Sequence, residues 1–325
     1  EVSDNIFENN VAGSRGGAAF LSSLVTTMTA NFVLRNNTVR NNTALDYAGG
    51  FYLSTYGSIL VENSDFENNR VTNGGYAALY SDSTTTVDVT GCRFVGNVGK
   101  NDSSAANVKI YVNSVATFRD NVFADNVGEG SGALKIAAPT GSDVMLTNNT
   151  FSNNTAKFGS GAFIDGPPTT NVNLTNNSFV GNTATTSGGA LYLYGYSATI
   201  ITFTNNRFED NTATSYGGAV YMDLTSSQYT ASGNHYENNN ANTSGGGEYC
   251  KSTGTTEYHV SNHLYLDNTA GFGGGLLLNM ADTANVSIMD SIFDSNSATT
   301  TGGGLYLDGP SGAVVLVSDN VFVRN

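Results

Sequence analysis

Asn176-Asn177-Ser178-Phe179-Val180-Gly181-Asn182-Thr183-Ala184-Thr185-Thr186-Ser187-Gly188-Gly189-Ala190-Leu191-Tyr192-Leu193 couples an F-x-x-N tetrapeptide to a G-G-A-L-Y-L run. Variants of both recur along the chain. The motif aromatics are Phe7, Phe66, Phe94, Phe123, Phe151, Phe179, Phe208, Tyr236, Tyr265, Phe293 and Phe322, with Val39 filling the one gap. The closing residues run from Asn10 and Asn42 to Asn296 and Asn325, with successive spacings of 32, 27, 28, 29, 28, 28, 29, 28, 29, 28 and 29. So regular a spacing means one structural unit per period, repeated twelve times.

Within a unit, two short alternating runs are legible and no helical pattern is. Five residues before the motif aromatic lies an apolar row that includes Leu34, Val61, Phe118 and Leu174; two residues earlier lies another, including Ile59, Val87, Val144 and Val172. A spacing of two is strand alternation, and the return of one residue class at every period means that equivalent positions stack. Parallel strands at about 4.8 Å per coil give a parallel β-helix roughly 55 Å long. The expected fold is therefore all-β, a single-stranded parallel β-helix of about twelve coils with a period of 28–29 residues, filling 1–325 as one repeat domain. The chain starts and stops inside repeats without a polar cap, which reads as part of a longer array or as subunits stacked end to end.

Two polar rows accompany the apolar ones. The closing Asn of each motif forms one; two residues before the aromatic, Asn5, Asn37, Ser64, Cys92, Asn121, Asn149, Asn177, Asn206, Asn234, His263, Ser291 and Asn320 form the other. Asn tolerates left-handed backbone at corners and bonds nearby backbone, and stacked amides bond to the coils above and below. His263 reads as a ladder substitute and not a catalytic base. Cys92 and Cys250 fall in different coils, too far apart for a disulfide, and are expected as free, inward thiols.

In the glycine-led run, the fourth and sixth positions point inward and the fifth outward. The outward row is Phe20, Tyr52, Tyr80, Lys109, Lys135, Phe163, Tyr192, Tyr221, Tyr249, Leu277 and Tyr306, with Val108 and Ile110 as the inward neighbours in the fourth coil. Gly and Ala at the third position suggest a groove of small residues beside this stripe. Stacked Tyr rings stabilise a parallel sheet; a long aromatic stripe also marks a contact surface for sugar rings or a second chain. The candidate contact residues are Phe20, Tyr52, Tyr80, Phe163, Tyr192, Tyr221, Tyr249 and Tyr306, and the two lysines would discourage unwanted association. Glu248 breaks the inward fourth row between Val220 and Leu276. Desolvation would raise its pKa if it pointed inward, so the expectation is a distorted strand that lets the carboxylate reach solvent.

Composition excludes more than it identifies. The 13 basic and 27 acidic residues give a net charge of −14, which argues against nucleic acid and anionic membrane surfaces; the apolar runs are too short to span a bilayer. Glu209 and Glu237 occupy equivalent positions in adjacent coils, and Asp125, Asp210 and Asp267 share a turn position in separated coils. Neither set forms the carboxylate pair across a cleft that glycoside hydrolysis needs, and no His or Cys spacing suggests zinc. No catalytic, cofactor or metal residue is assigned. Thr155, Thr183, Thr212 and Thr269 would be an ice-binding row, but Asn240 and Ser297 interrupt it. Sequons occur at Asn36, Asn41, Asn101, Asn148, Asn153, Asn173, Asn176, Asn242 and Asn285, about as many as the Asn, Ser and Thr content produces by chance.

The pairing of Gly188-Gly189-Ala190-Leu191 and Gly217-Gly218-Ala219-Val220 with Phe7–Asn10, Phe151–Asn154 and Phe179–Asn182 resembles the repeats of the polymorphic outer membrane protein family, known from chlamydial surface proteins. The resemblance covers essentially the whole chain. It implies a right-handed β-helix displayed outside the cell and a role in adhesion, although that family's C-terminal membrane barrel has no counterpart here. The expected function is a non-catalytic extracellular module (a rigid stalk, filament segment or adhesin) whose partners are other protein chains, joined laterally or end to end, or cell-surface glycans. The alternative is a carbohydrate-binding or polysaccharide-processing β-helix.

Overall fold

A computed structural model describes residues 1–23, 30–76, 78–83, 85–281 and 283–325. Every strand pairs in parallel with its equivalents in the coils before and after it, which builds four sheets along one axis. The first sheet runs from Val2–Ser3 to Val314–Ser318 and the second from Ile6–Glu8 to Val321–Val323, each of twelve strands. The third runs from Val11–Ala12 to Ser297–Thr301 and the fourth from Ala19–Ser23 to Leu305–Asp308, each of eleven. A coil thus has four strands where the sequence showed two runs. The extra ones are the second-sheet strands of three residues, such as Ser178–Val180, and the short third-sheet strands, such as Thr212–Ala213. Strands that short cannot display an alternation.

The corners explain why the motif is rich in Asn, though not at the positions expected. Each ladder residue follows a residue in the left-handed region: Asn148 and Asn153 (φ 55° and 53°) precede Asn149 and Asn154, and Asp120 and Asp125 (φ 56° and 55°) precede Asn121 and Asn126. In the fourth coil Gly91 and Gly96 take the same two places at φ 64°. The left-handed role therefore belongs to the residue before the ladder, where Asn, Asp and Gly are the residues that tolerate it. The ladder Asn itself is a hydrogen-bonding device.

Asn154 shows how. Its Oδ1 accepts from the backbone N–H and the Nδ2 of Asn126 at 3.1 and 3.0 Å. Its own Nδ2 donates to the Phe123 carbonyl at 2.9 Å and to Asn182 Oδ1 at 3.0 Å. The backbone N–H to Oδ1 step repeats without a break from Asn10 to Asn325. Each buried corner donor and acceptor is thereby satisfied, as burial requires. Inside this frame the motif aromatics stack face to face; Phe94, Phe123 and Phe151 lie 4.8 Å apart with ring planes within 5°.

The small third-position residues do not form a surface groove. Ala133, Ala190 and Ala219 are fully buried, and a Cβ added at Gly161 would lie 2.8 Å from Phe179 Cδ1. The residue before the fourth-sheet strand turns inward at the corner, so the parity of the strand does not extend to it. Small side chains there make room for the aromatic column. The glycine pair before it sets the bend: Gly188 has φ 67°, and a Cβ on Gly189 would sit 1.9 Å from the Gly218 carbonyl oxygen.

Candidate functional site

The outer face of the fourth sheet carries the candidate contact stripe. Strand register places Phe20, Tyr52, Tyr80, Asn107, Lys135, Phe163, Tyr192, Tyr221, Tyr249, Leu277 and Tyr306 in one outward row. In the fourth coil the outward residue is Asn107, not Lys109, and its inward neighbours are Ala106 and Val108. The alignment by Val108, Lys109 and Ile110 was two residues late because that coil lacks the glycine pair that marks the corner elsewhere. Asn107 and Lys135, in adjacent coils, are thus the interruption in the aromatic row.

The stripe is less open than alternation predicts. Tyr80, Tyr192 and Tyr249 are only 8%, 6% and 8% exposed. Their ring faces are covered by one another: Phe20 and Tyr52 stack at 4.8 Å, Tyr192 and Tyr221 at 4.5 Å, and Tyr221 and Tyr249 at 5.3 Å. Rings stacked along the axis leave only their edges near solvent, and burial raises the hydroxyls of Tyr80, Tyr192 and Tyr221 well above the usual phenol value. Tyr192 Oη also donates to Tyr194 Oη at 2.8 Å. Lys135 lies over the Phe163 ring, 5.7 Å from its centroid, and pairs with Asp102 at 3.0 Å.

Beside the stripe runs a second outward row that sequence reading missed: Ser54, Asp82, Lys109, Ala137, Asp165, Tyr194, Asp223, Lys251, Asn279 and Asp308. The signal was present two residues beyond the stripe, in the position after the last inward residue. This row is charged where the stripe is aromatic, with Lys251 3.7 Å from Asp223.

Glu248 corrects the expectation of a distorted strand. It lies in the regular strand Glu248–Thr253, paired in register with Val220 and Leu276, and is wholly buried. Its solvation comes from tyrosines. Tyr258 Oη donates to Oε1 at 2.6 Å and Tyr265 Oη to Oε2 at 3.3 Å. Tyr229 and Tyr236 neighbour the carboxylate without a hydrogen bond of ordinary geometry. Desolvation pushes the Glu248 carboxyl up from 4.5 to about 7, against the pull of the Tyr258, Tyr236 and Tyr265 hydroxyls. His263 completes the cluster, 3.2 Å from Asn234 Nδ2 through Nε2 and 3.3 Å from Tyr265 Oη through Nδ1. Accepting from Asn234 assigns its proton to Nδ1. Burial lowers its pKa to about 3, so the ring stays neutral and fills the place in the ladder that the sequence assigned to it.

The remaining candidates fall apart geometrically. Asp125, Asp210 and Asp267 are left-handed corner residues at φ 55°, 54° and 53°, which accounts for their shared position. Glu209 and Glu237 do sit side by side in register, but each is engaged on its own strand, by Arg207 and, at 3.5 Å, by His235. No three His, Cys, Asp or Glu side chains among the described residues converge as metal ligands do. Cys92 and Cys250 are free and buried, and desolvation lifts the Cys92 thiol to about 12. All nine sequon asparagines are exposed, and Asn36, Asn41, Asn101, Asn148, Asn153 and Asn176 are left-handed residues.

The family model of the right-handed β-helix region matches residues 1–131 and 100–269. The chain belongs to the right-handed β-helix family. That match supplies the handedness of the parallel coils. The Chlamydia polymorphic membrane protein repeat matches residues 290–308, a span that contains both Phe293–Asn296 and the Gly302-Gly303-Gly304-Leu305 run; the paired motifs are thus those of the repeat family that the sequence resembles. No curated protein matches the chain. Among solved structures, a TibC-catalysed, hyper-glycosylated TibA fragment aligns at 12% identity over 98% of this chain and 99% of that one, with a TM-score of 0.24. At that score nothing about this β-helix follows from the likeness.

Proposed function

We propose that residues 1–325 act as one non-catalytic structural or adhesive module outside the cell, a rigid rod whose fourth-sheet face makes lateral contacts with other protein chains or with glycans. The observation that carries this reading is the unbroken asparagine ladder from Asn10 to Asn325. It ties each coil to the next through buried amides, and so favours a stiff, uniform body over one with a cleft. The surface-protein repeat at residues 290–308 supports display at the cell surface. The carboxylates singled out by their spacing, Asp125, Asp210 and Asp267 at corners and Glu209 and Glu237 beside Arg207 and His235, form no pair across a cleft and so support a role without turnover. Because the stripe offers ring edges while its ring faces are stacked on one another, it suits a protein surface better than stacked sugar rings.

The test is adhesion by the protein itself. Beads coated with the purified chain should bind cultured cells or one another. The double substitution Tyr52→Ser and Tyr221→Ser, on half-exposed stripe positions, should weaken that binding while the thermal transition stays cooperative. Coated beads that behave like uncoated ones would sink the adhesive reading, and measurable cleavage of a polysaccharide panel would sink the non-catalytic one.

A further inference from the structure

We infer that a notch on the outer face of the fourth sheet, centred on Ala137, is a binding site for a single pyranose ring. The second outward row passes from Lys109 to Ala137 to Asp165 in three successive coils. The methyl side chain in the middle leaves a cavity of about 230 Å³ lined by Lys109, Ile110, Ala137, Pro139, Asp165 and Pro167. That volume lies below the ~300 Å³ at which pockets for drug-sized ligands begin, so the notch takes one ring and not an extended chain. The two charged residues stand one coil to either side of Ala137, with backbones about 10 Å apart.

Both charged groups are uncommitted. Among the described residues neither the Lys109 ammonium nor the Asp165 carboxylate makes an ion pair, and Asp165 accepts no side-chain hydrogen bond. Lys109 feels Asp82 in the coil on its far side, and Asp165 feels Lys135. Burial nevertheless pushes the Asp165 carboxyl up, as expected for a half-buried anion whose solvation is incomplete.

The chemistry of the walls selects the ligand. A carboxylate at one end repels anions and an ammonium at the other repels cations, which leaves a neutral polyol or a zwitterion. Vicinal hydroxyls of a sugar donate to the two carboxylate oxygens, and a third hydroxyl or the ring oxygen accepts from the ammonium. Between them Ala137, Pro139 and Pro167 offer an apolar floor to the C–H face of a pyranose. A small zwitterion would satisfy the two charges and leave that floor unused. The notch lies off the aromatic stripe, and this inference does not depend on lateral contacts between rods.

Saturation-transfer NMR on the full chain tests it, with the methyl glycosides of glucose, galactose, mannose and N-acetylglucosamine as probes. At least one should receive saturation. Ala137→Leu, which fills the notch from a half-buried outward strand position, should abolish the transfer. Asp165→Asn, which keeps the shape and removes the charge, should weaken binding about tenfold. Absence of transfer to all four glycosides overturns the inference. So does transfer that survives Ala137→Leu, or a glycoside displaced as readily by free glycine or alanine as by another sugar. Failure here leaves the adhesive rod standing, and failure of bead adhesion leaves the notch standing.

Discussion

From the fourth to the eighth coil the core column reads Phe94, Phe123, Phe151, Phe179 and Phe208, all fully buried and without a polar atom on any ring. In the ninth and tenth coils the same column reads Tyr236 and Tyr265, facing Tyr229 and Tyr258 of the first sheet and Glu248 of the fourth. Stacking geometry is indifferent to the change: Phe151 and Phe179 lie 4.6 Å apart at 4°, and Tyr236 and Tyr265 lie 4.8 Å apart at 7°. The solenoid thus accepts a hydroxyl on each ring and a carboxylate in an apolar row without moving the backbone. The cost appears in protonation. A neutral Glu248 can donate to the Tyr229 or Tyr236 hydroxyl, both otherwise without a partner, whereas an ionised one must rely on Tyr258 and Tyr265. Phenylalanine coils are stabilised without regard to pH; the tyrosine coils are tuned to it.

The largest effect should come from the device both regions share. Asn154→Ala removes four side-chain hydrogen bonds and strands the buried Asn126 N–H and Phe123 carbonyl of the preceding coil. A loss of about 4 kcal/mol is expected, readable as a lower denaturant midpoint. A change below about 1 kcal/mol would mean that water replaces the ladder. Next comes Glu248→Gln, measured against the parent chain across pH. The folded-state pKa is raised from 4.5 to about 7, so the unfolded chain gives up this proton first. Stability from this group is complete below pH 4.5 and is lost as pH rises through 7. The sum is about 3 kcal/mol. The parent should lose thermal stability over that window relative to Glu248→Gln, and parallel curves for the two proteins would refute a buried, titrating carboxyl.

The contrast between the regions also marks what the sequence could convey. Period, coil number and both asparagine ladders were legible because stacking forces equivalent residues into register. One coil predicts the next. The direction of a single side chain is legible only through strand parity, and parity fails at corners. Ala190 was therefore read as outward, and Lys109 was placed in a row that belongs to Asn107. Glu248 failed for a different reason. Its place in the inward row was legible, but the four tyrosines around it, of which Tyr258 and Tyr265 bond the carboxylate, come from the first and second sheets, up to 19 residues before it and 17 after it. Only the closed coil brings them together, and without them an exposed carboxylate was the cheaper assumption. The row through Lys109, Ala137 and Asp165 mixes acidic, basic, aromatic and small residues from coil to coil, and a search for one recurring residue class passes over it.

Two smaller substitutions sharpen the comparison. Tyr258→Phe returns one position of the tyrosine coils to phenylalanine chemistry and removes the 2.6 Å hydrogen bond to Glu248. A charge-assisted bond of this kind contributes about 2 kcal/mol. The loss should be full at pH 8, where the carboxylate is ionised, and smaller at pH 5. An effect equal at both pH values would show that the bond does not sense the charge.

The smallest effect belongs to the corner. Asn153 sits at φ 53° in the sixth coil, the place that Gly96 and Gly181 hold in the fourth and seventh at φ 64° and 67°. Asn153→Ala puts a Cβ into the left-handed region without the local hydrogen bonding that Asn offers, and should cost about 1 kcal/mol. Asn153→Gly should stay within about 0.5 kcal/mol of the parent, since the backbone already accepts glycine at equivalent corners. Equal losses for the two would mean that the Asn153 side chain stabilises the corner and that the backbone angle is not the cause. Both substitutions delete the exposed sequon at Asn153, but only the glycine variant does so without straining the coil. A mass difference in secreted material between parent and Asn153→Gly, larger than that of the exchanged side chain itself, therefore reports a glycan at this corner, free of any change in folding.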